Sequence, residues 1–223
     1  MLSPSGQEWL LYSFTGLGDG GVPNQGLIRD ADGDLYGTTY SGGTANGGTV
    51  YKIDTAGNEV VLFSFPGGVD GDYPYGGVIR DANGNLYGTT GGGGAGRAGV
   101  VYKLTPEGDY SVLYSFTGGA DGGGPMSGVV MDAKGNLHGT TASGGTLGGA
   151  AKTGCGVVYK VSPLGQETVL HSFTGGADGS QPWAGVVLGP AGEIFGTAPW
   201  GGKGGTNDVV SSGGGLIYRL GAQ

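Results

Sequence analysis

Short apolar runs, separated by glycine-rich polar stretches, recur along the whole chain. Between residues 61 and 104 they read Val61-Leu62-Phe63-Ser64-Phe65, Gly77-Val78-Ile79-Arg80-Asp81, Asn85-Leu86-Tyr87-Gly88-Thr89-Thr90 and Val100-Val101-Tyr102-Lys103-Leu104. Runs of about five residues, rich in β-branched and aromatic side chains and bounded by turn residues, predict strands. No stretch carries the 3.6-residue period of an amphipathic helix. Asp81-Ala82-Asn83-Gly84-Asn85 predicts a tight hairpin with Gly at a left-handed position, and Asp30-Ala31-Asp32-Gly33-Asp34 and Asp132-Ala133-Lys134-Gly135-Asn136 repeat it. Thr105-Pro106-Glu107-Gly108 predicts a second turn, after which the next apolar run begins.

The same pattern returns four times. Gly-Thr-Thr stands at Gly37, Gly88 and Gly139, with Gly196-Thr197-Ala198 as a fourth copy; Ser-Phe stands at Ser13, Ser64, Ser115 and Ser172. Both series step by 51, 51 and 57 residues. Several short strands in a unit of this length define a radial β-repeat. The expectation is an all-β protein, a β-propeller of four blades with four antiparallel strands each, forming a single domain over 1–223. The blades span approximately 15–64, 66–115, 117–172 and 174–223 plus 1–14. Ser3-Pro4-Ser5-Gly6 aligns with the Thr105 turn, and Leu216–Leu220 with the strand before that turn. Residues 3–14 are therefore expected to pair with 216–220, closing the ring and removing exposed edges. A whole-repeat fragment of a longer array, and half of a larger ring built from two chains, remain as alternatives.

Composition narrows the functional classes. Of the 223 residues, 57 are Gly and 10 are Pro, a level typical of low-complexity chains when no period is present; here the glycines fall in register. The net charge is −8 and the few Lys and Arg are scattered, so no nucleic-acid-binding face is expected. Neither membrane insertion nor attraction to an anionic membrane is expected, since no apolar run approaches the roughly 20 residues of a span. Met1-Leu2-Ser3-Pro4 has neither the basic nor the apolar part of a signal peptide. The single cysteine, Cys155, has no partner within the chain for a disulfide.

The stretch Gly77-Val78-Ile79-Arg80-Asp81-Ala82-Asn83-Gly84-Asn85-Leu86-Tyr87-Gly88-Thr89-Thr90, with Val101–Gly108 and Leu113-Tyr114-Ser115-Phe116, resembles the GloVer tandem repeat of bacteria. The resemblance covers nearly the whole chain. It implies a secreted or surface-anchored protein, hence an extracellular or cell-surface setting, and supplies no catalytic residues.

Candidate chemistry falls on the loops. The hairpins and Thr-Pro-Glu-Gly turns are expected on one rim, and the long variable loops, where binding usually resides, on the other. On the long-loop rim Asp19, Asp70, Asp121 and Asp178 each precede Gly and stand four residues before Pro23, Pro74, Pro125 or Pro182. One reading is an Asx turn, the carboxylate accepting a backbone N–H two residues on. The other is a carboxylate ring holding a cation such as Ca²⁺, with help from carbonyl oxygens. After each Pro the repeats diverge, as Asn24, Tyr75, Met126 and Trp183. Tyr75 and Trp183, with Tyr40 and Trp200, are candidate aromatic faces for a sugar; the competing reading has them plug the axis or pack between blades. The longer loops of blades three and four hold Trp200, Lys203, Asp208 and Cys155. His138 and His171 occupy scaffold columns otherwise held by Tyr or Phe, and Glu8, Glu59 and Glu167 share a column beside the structural turn. No nucleophile elbow or P-loop is present. The expected function is a non-catalytic extracellular binding or adhesion module, monomeric or paired into a larger ring, with a glycan or polysaccharide as partner. The alternatives are a polysaccharide-active hydrolase or lyase using the rim Asp residues, and a structural spacer.

Overall fold

The computed structural model describes residues 6–146, 154–203 and 213–222. Blade one comprises β1 (Ile28–Arg29), β2 (Leu35–Thr39), β3 (Thr49–Ile53) and β4 (Glu59–Ser64). Blade two comprises β5 (Ile79–Arg80), β6 (Leu86–Thr90), β7 (Val100–Leu104) and β8 (Tyr110–Ser115). Blade three comprises β9 (Val130–Met131), β10 (Leu137–Thr141), β11 (Val157–Val161) and β12 (Glu167–Ser172). Blade four has β13 (Val187–Leu188), β14 (Ile194–Ala198) and β15 (Leu216–Leu220). Each sheet is antiparallel and follows chain order. The four-blade propeller-like, all-β reading therefore holds.

The hairpins form as expected. Gly84 adopts φ +87°, its N–H bonds the Asp81 carbonyl at 3.1 Å, and the Asp81 carboxylate accepts the Asn83 N–H at 2.9 Å. A Cβ at Gly84 would lie 3.0 Å from Pro106, so the hairpin and the Thr-Pro-Glu-Gly turn share a rim. The inner strands are shorter than expected, two residues each. Toward the axis the backbones of successive blades crowd: a Cβ at Gly128 would stand 2.6 Å from the Gly77 carbonyl oxygen.

Contacts between blades explain the repeated motif. Gly88 is covered by the phenol of Tyr102, whose oxygen would lie 2.5 Å from any Cβ there; Gly139 and Tyr159 repeat the contact. The following threonine crosses to the next blade: Thr38 donates to Gly76 O at 2.9 Å, Thr89 to Ser127 O at 2.7 Å and Thr140 to Ala184 O at 3.0 Å. The second threonine holds its own loop, Thr90 donating to Gly92 O at 2.8 Å. The Phe of Ser-Phe packs edge-on against a tyrosine of the next blade, Phe65 on Tyr102, Phe116 on Tyr159 and Phe173 on Tyr218. The core consists of these interfaces, and Val101, Phe116, Tyr102 and Tyr159 are fully buried in them.

The expected closure is not shown. Among the described residues the fourth sheet ends at β15, and residues 6–14 contribute a single β-bridge at Glu8 rather than a strand. Ile217 is 81% exposed, whereas Val50, Val101 and Val158 in the same column are completely buried. Leu27 is 47% exposed, against 4% for its counterpart Val78. The faces of blades one and four that closure would press together are open.

Candidate functional site

The long loops gather on one rim, as isolated bridges between Asp72 and Gly92, Gly123 and Ser143, and Ser180 and Trp200 record. Of the four rim aspartates, three are turn caps. Asp19 accepts the Thr15 N–H at 2.8 Å, the Thr15 hydroxyl at 2.5 Å and the Tyr12 phenol at 3.0 Å. Asp121 takes the same three donors from Thr117 and Tyr114. Asp178 takes Thr174, with His171 Nε2 at 3.4 Å in the tyrosine's place. The cap thus reaches an N–H four residues upstream. The expected two-residue Asx geometry belongs instead to the hairpin aspartates, such as Asp30 with the Asp32 N–H at 3.1 Å. The Thr15 hydroxyl bond is the largest influence on Asp19 and holds its carboxyl below the usual range.

Asp70 differs. Its upstream partners are Pro66, with neither N–H nor hydroxyl, and Phe63, with no phenol. Two residues on stands Asp72, in a column otherwise filled by Gly21, Gly123 and Ser180. Gly91 and Gly92, where repeats one and three have Tyr40-Ser41 and Ala142-Ser143, make room for the new side chains. A Cβ at Gly91 would meet the Tyr75 ring at 2.6 Å, and one at Gly92 would collide with the Asp72 carboxylate. Asp72 Oδ1 is buried and has no hydrogen-bond partner, and burial pushes its carboxyl up from the ordinary value. A buried carboxylate oxygen without a donor favours the protonated acid.

Asp72 lines a cavity of about 580 Å³ with Gly68, Val69, Gly93, Gly94, Ala95 and Arg97. Beside it stand three tyrosines: Tyr40 stacks on Tyr73 at 5.0 Å between ring centroids and leans on Tyr75 at 4.7 Å. Tyr73 and Arg97 both hold left-handed backbone, φ +55° and +57°, a conformation that non-glycine residues seldom adopt. The junction of blades one and two thus combines a carboxyl with one buried, unpartnered oxygen, a guanidinium and an aromatic platform.

Other sequence candidates lie elsewhere. Trp183 and Trp200 meet edge to face at 6.5 Å on the rim at the junction of blades three and four, so the four aromatic candidates form two separate pairs. Among the described residues no three His, Cys, Asp or Glu side chains converge as a metal site. His138 bonds Asp132 at 3.1 Å, as Tyr36 and Tyr87 bond Asp30 and Asp81, which is a scaffold role. Cys155 is a buried free thiol whose titration burial pushes up. Asp208 lies outside the described residues. Glu59 and Glu167 each bury a carboxylate oxygen without a partner; burial first, then Asp121, push Glu167 up to about 7. Asp72, Tyr73 and Arg97 escape a reading built on repeating columns, because they break the columns. The signal was present as Pro66 replacing Thr, Asp72 replacing Gly, and the Gly91-Gly92 pair.

Radial antiparallel sheets with long loops on one rim define a propeller-type repeat protein. The Gloeobacter/Verrucomicrobia repeat model matches residues 1–150, and the chain belongs to that family, as the GloVer resemblance implied. Among curated proteins there is no match to the chain. Solved structures share the fold. A luciferin-regenerating enzyme matches at 16% identity with TM-score 0.52, over 87% of this chain and 59% of its own. A gluconolactonase from Xanthomonas campestris matches at 16% identity with TM-score 0.50, over 77% of this chain and 52% of its own. The chain thus spans between half and three-fifths of their length. Both are enzymes by name, and on that ground the expectation of a non-catalytic binding module is corrected.

Proposed function

We propose that the protein is an enzyme acting on carbohydrate, a hydrolase with Asp72 as proton donor at the junction of blades one and two. The observation carrying this reading is the Asp72 carboxyl, with one oxygen buried and unpartnered, opening onto a cavity that Arg97 also lines. A carboxyl whose titration burial pushes upward is a better proton donor to the leaving oxygen of a sugar, and such positioned acids contribute typically 10²–10⁴-fold. Tyr40, Tyr73 and Tyr75 supply a stacking face for a pyranose ring, and Arg97 holds an anionic or hydroxylated substituent. Trp183 and Trp200 serve as a second sugar contact farther along the rim, and the setting is the bacterial exterior. The named activity of the fold relatives supports an enzyme and leaves the sugar substrate to this chain's own residues.

The test is product analysis on a panel of polysaccharides and sugar lactones, with the parent and Asp72→Asn compared at equal concentration. New reducing ends or ring-opened acids from the parent, lost with Asp72→Asn while sugar binding persists, support the reading. Absence of product from every substrate, or full turnover by Asp72→Asn, removes it.

A further inference from the structure

We propose that the cavity beside Asp72 selects an acidic saccharide, with Arg97 and the Gly93 N–H as the receptor for the carboxylate of a uronic acid residue. The inference rests on the reading of this junction as a sugar site, and it names the class of sugar. It starts from one column of the repeat. In blade one, the loop after Gly37-Thr38-Thr39 holds Asn46 in left-handed backbone at φ +58°, and the Asn46 side-chain oxygen accepts the Gly42 N–H at 2.9 Å. Blade two keeps that backbone, with Arg97 at φ +57° in the place of Asn46 and Gly93 at φ +69° in that of Gly42. An arginine side chain has donors only and no acceptor. Among the described residues the Gly93 N–H therefore finds no partner, where its counterpart has one. The exchange loses a turn bond, and it loses the residue type that left-handed backbone favours. No new bond within the loop offsets this. Gly94 N–H bonds Gly68 O at 2.8 Å and Gly99 N–H bonds Gly93 O at 2.9 Å, both as in blade one.

Both donors belong to the wall of one space. Gly93 and Arg97 line the cavity of about 580 Å³ to which Asp72 contributes its carboxyl. Arg97 is exposed and enters no ion pair among the described residues, although the chain carries 18 acidic side chains against 10 basic ones. A planar guanidinium matches a planar carboxylate through two parallel N–H bonds, and the free backbone N–H adds a third donor on the same wall. A neutral sugar brings only hydroxyl oxygens to these groups and forgoes the charge. The Tyr40, Tyr73 and Tyr75 rings serve the apolar face that acidic and neutral pyranoses share, so the choice between them falls to Arg97 and Gly93. The bound anion also acts on the acid. A carboxylate held in the same cavity disfavours ionisation of Asp72, so an acidic sugar helps keep the proton on its own donor.

Equilibrium binding by calorimetry tests this. The probes are short oligomers of galacturonic, glucuronic and mannuronic acid, each beside the same oligomer with its carboxyls reduced to alcohols. The parent is expected to bind at least one acidic oligomer roughly 10–100-fold more tightly than its reduced form, the range for charge-assisted bonds. Arg97→Asn restores the blade-one residue and its acceptor for the Gly93 N–H. It is expected to keep the parent's melting temperature and to bind the two forms alike. Asp72→Asn leaves the receptor in place and is expected to retain the preference. Equal binding within every pair by the parent, or an undiminished preference in Arg97→Asn, overturns the proposal. An equal gain from a sulfated neutral oligomer overturns it too, since the receptor would then be a general anion site. A preference for the acidic form without any product upholds this inference and removes the hydrolase; turnover of neutral oligomers with no preference does the reverse.

Discussion

The junction between blades one and two and the junction between blades two and three are built from the same columns, yet they do different things. At the second junction Thr117 and Tyr114 spend all their donors on Asp121, and Gly123 lies under the Ser143 hydroxyl. The aspartate there serves the turn, and the unpartnered carboxyl nearby is that of Glu167. At the first junction Pro66 and Phe63 withdraw both donors from Asp70, while Asp72 brings in a carboxyl with one oxygen unsatisfied. A repeat makes scaffold positions redundant, so one copy can depart from the pattern while the others hold the fold. Where it departs by adding a buried carboxyl oxygen without a partner, stability is lost locally, the usual signature of a working site.

The sharpest break of this comparison is Asp72→Asn. Turnover should fall by roughly 10²–10⁴-fold, measured as product release, whereas Asp121→Asn should leave it within about a factor of two if the junctions differ as described. Stability should move the other way. A carboxyl raised in the folded state loses stability as pH climbs from the ordinary carboxylate range through its raised value. Asp72→Asn removes that loss, so the melting temperature of the variant should exceed the parent's at neutral pH and match it in acid. A variant less stable than the parent at pH 7 would assign Asp72 to the scaffold.

Core substitution comes next. Phe116→Ala empties a completely buried position between blades two and three and should cost about 3–5 kcal/mol in denaturant unfolding. Phe14→Ala, half-buried against blade one alone, should cost clearly less, and equal costs would mean that blade one is as well covered as blade three. The caps follow. Thr117→Ala removes a hydroxyl from Asp121 and should cost about 1 kcal/mol, while Asp70→Ala, with no such donor to lose, should fall near zero. The smallest effect is electrostatic. Burial and then Asp121 raise Glu167 to about 7, so stability should decline from about pH 4.5 to 7 and level above it. Glu167→Gln should flatten that slope, and an unchanged slope would place its origin elsewhere.

The repeat made most of the fold legible. Strand positions, hairpin glycines and the sharing of rims all follow from apolar runs and turn chemistry that recur in step, because each copy tests the reading of the others. The inner strands were overestimated, since crowding of glycine backbones at the axis is a property of the assembled array. Closure was expected from the phase of the two ends, but among the described residues the fourth sheet ends at β15. The candidate site was half legible. Tyr40 and Tyr75 stand out in the sequence as aromatics in variable loops and do meet, while Asp72 is not legible from the repeat because it stands in a column that the other copies fill with Gly or Ser. In the sequence Glu167 stands beside a structural turn, and only the fold carries it toward Asp121, in the loop that follows the preceding blade.

The threonine bonds that stitch each blade to the next join residues only 38 apart for Thr38 and Thr89, and 44 apart for Thr140. Each blade is thus fastened by a stretch of chain synthesised directly after it, with no contact required from a distant end. Such an array can grow in one direction, locking one unit before the next emerges, and loop closure never becomes long. The same economy bears on ancestry. Duplicating or deleting a 51-residue unit leaves every remaining junction intact, so the number of blades is a quantity that inheritance can change without redesigning any of them.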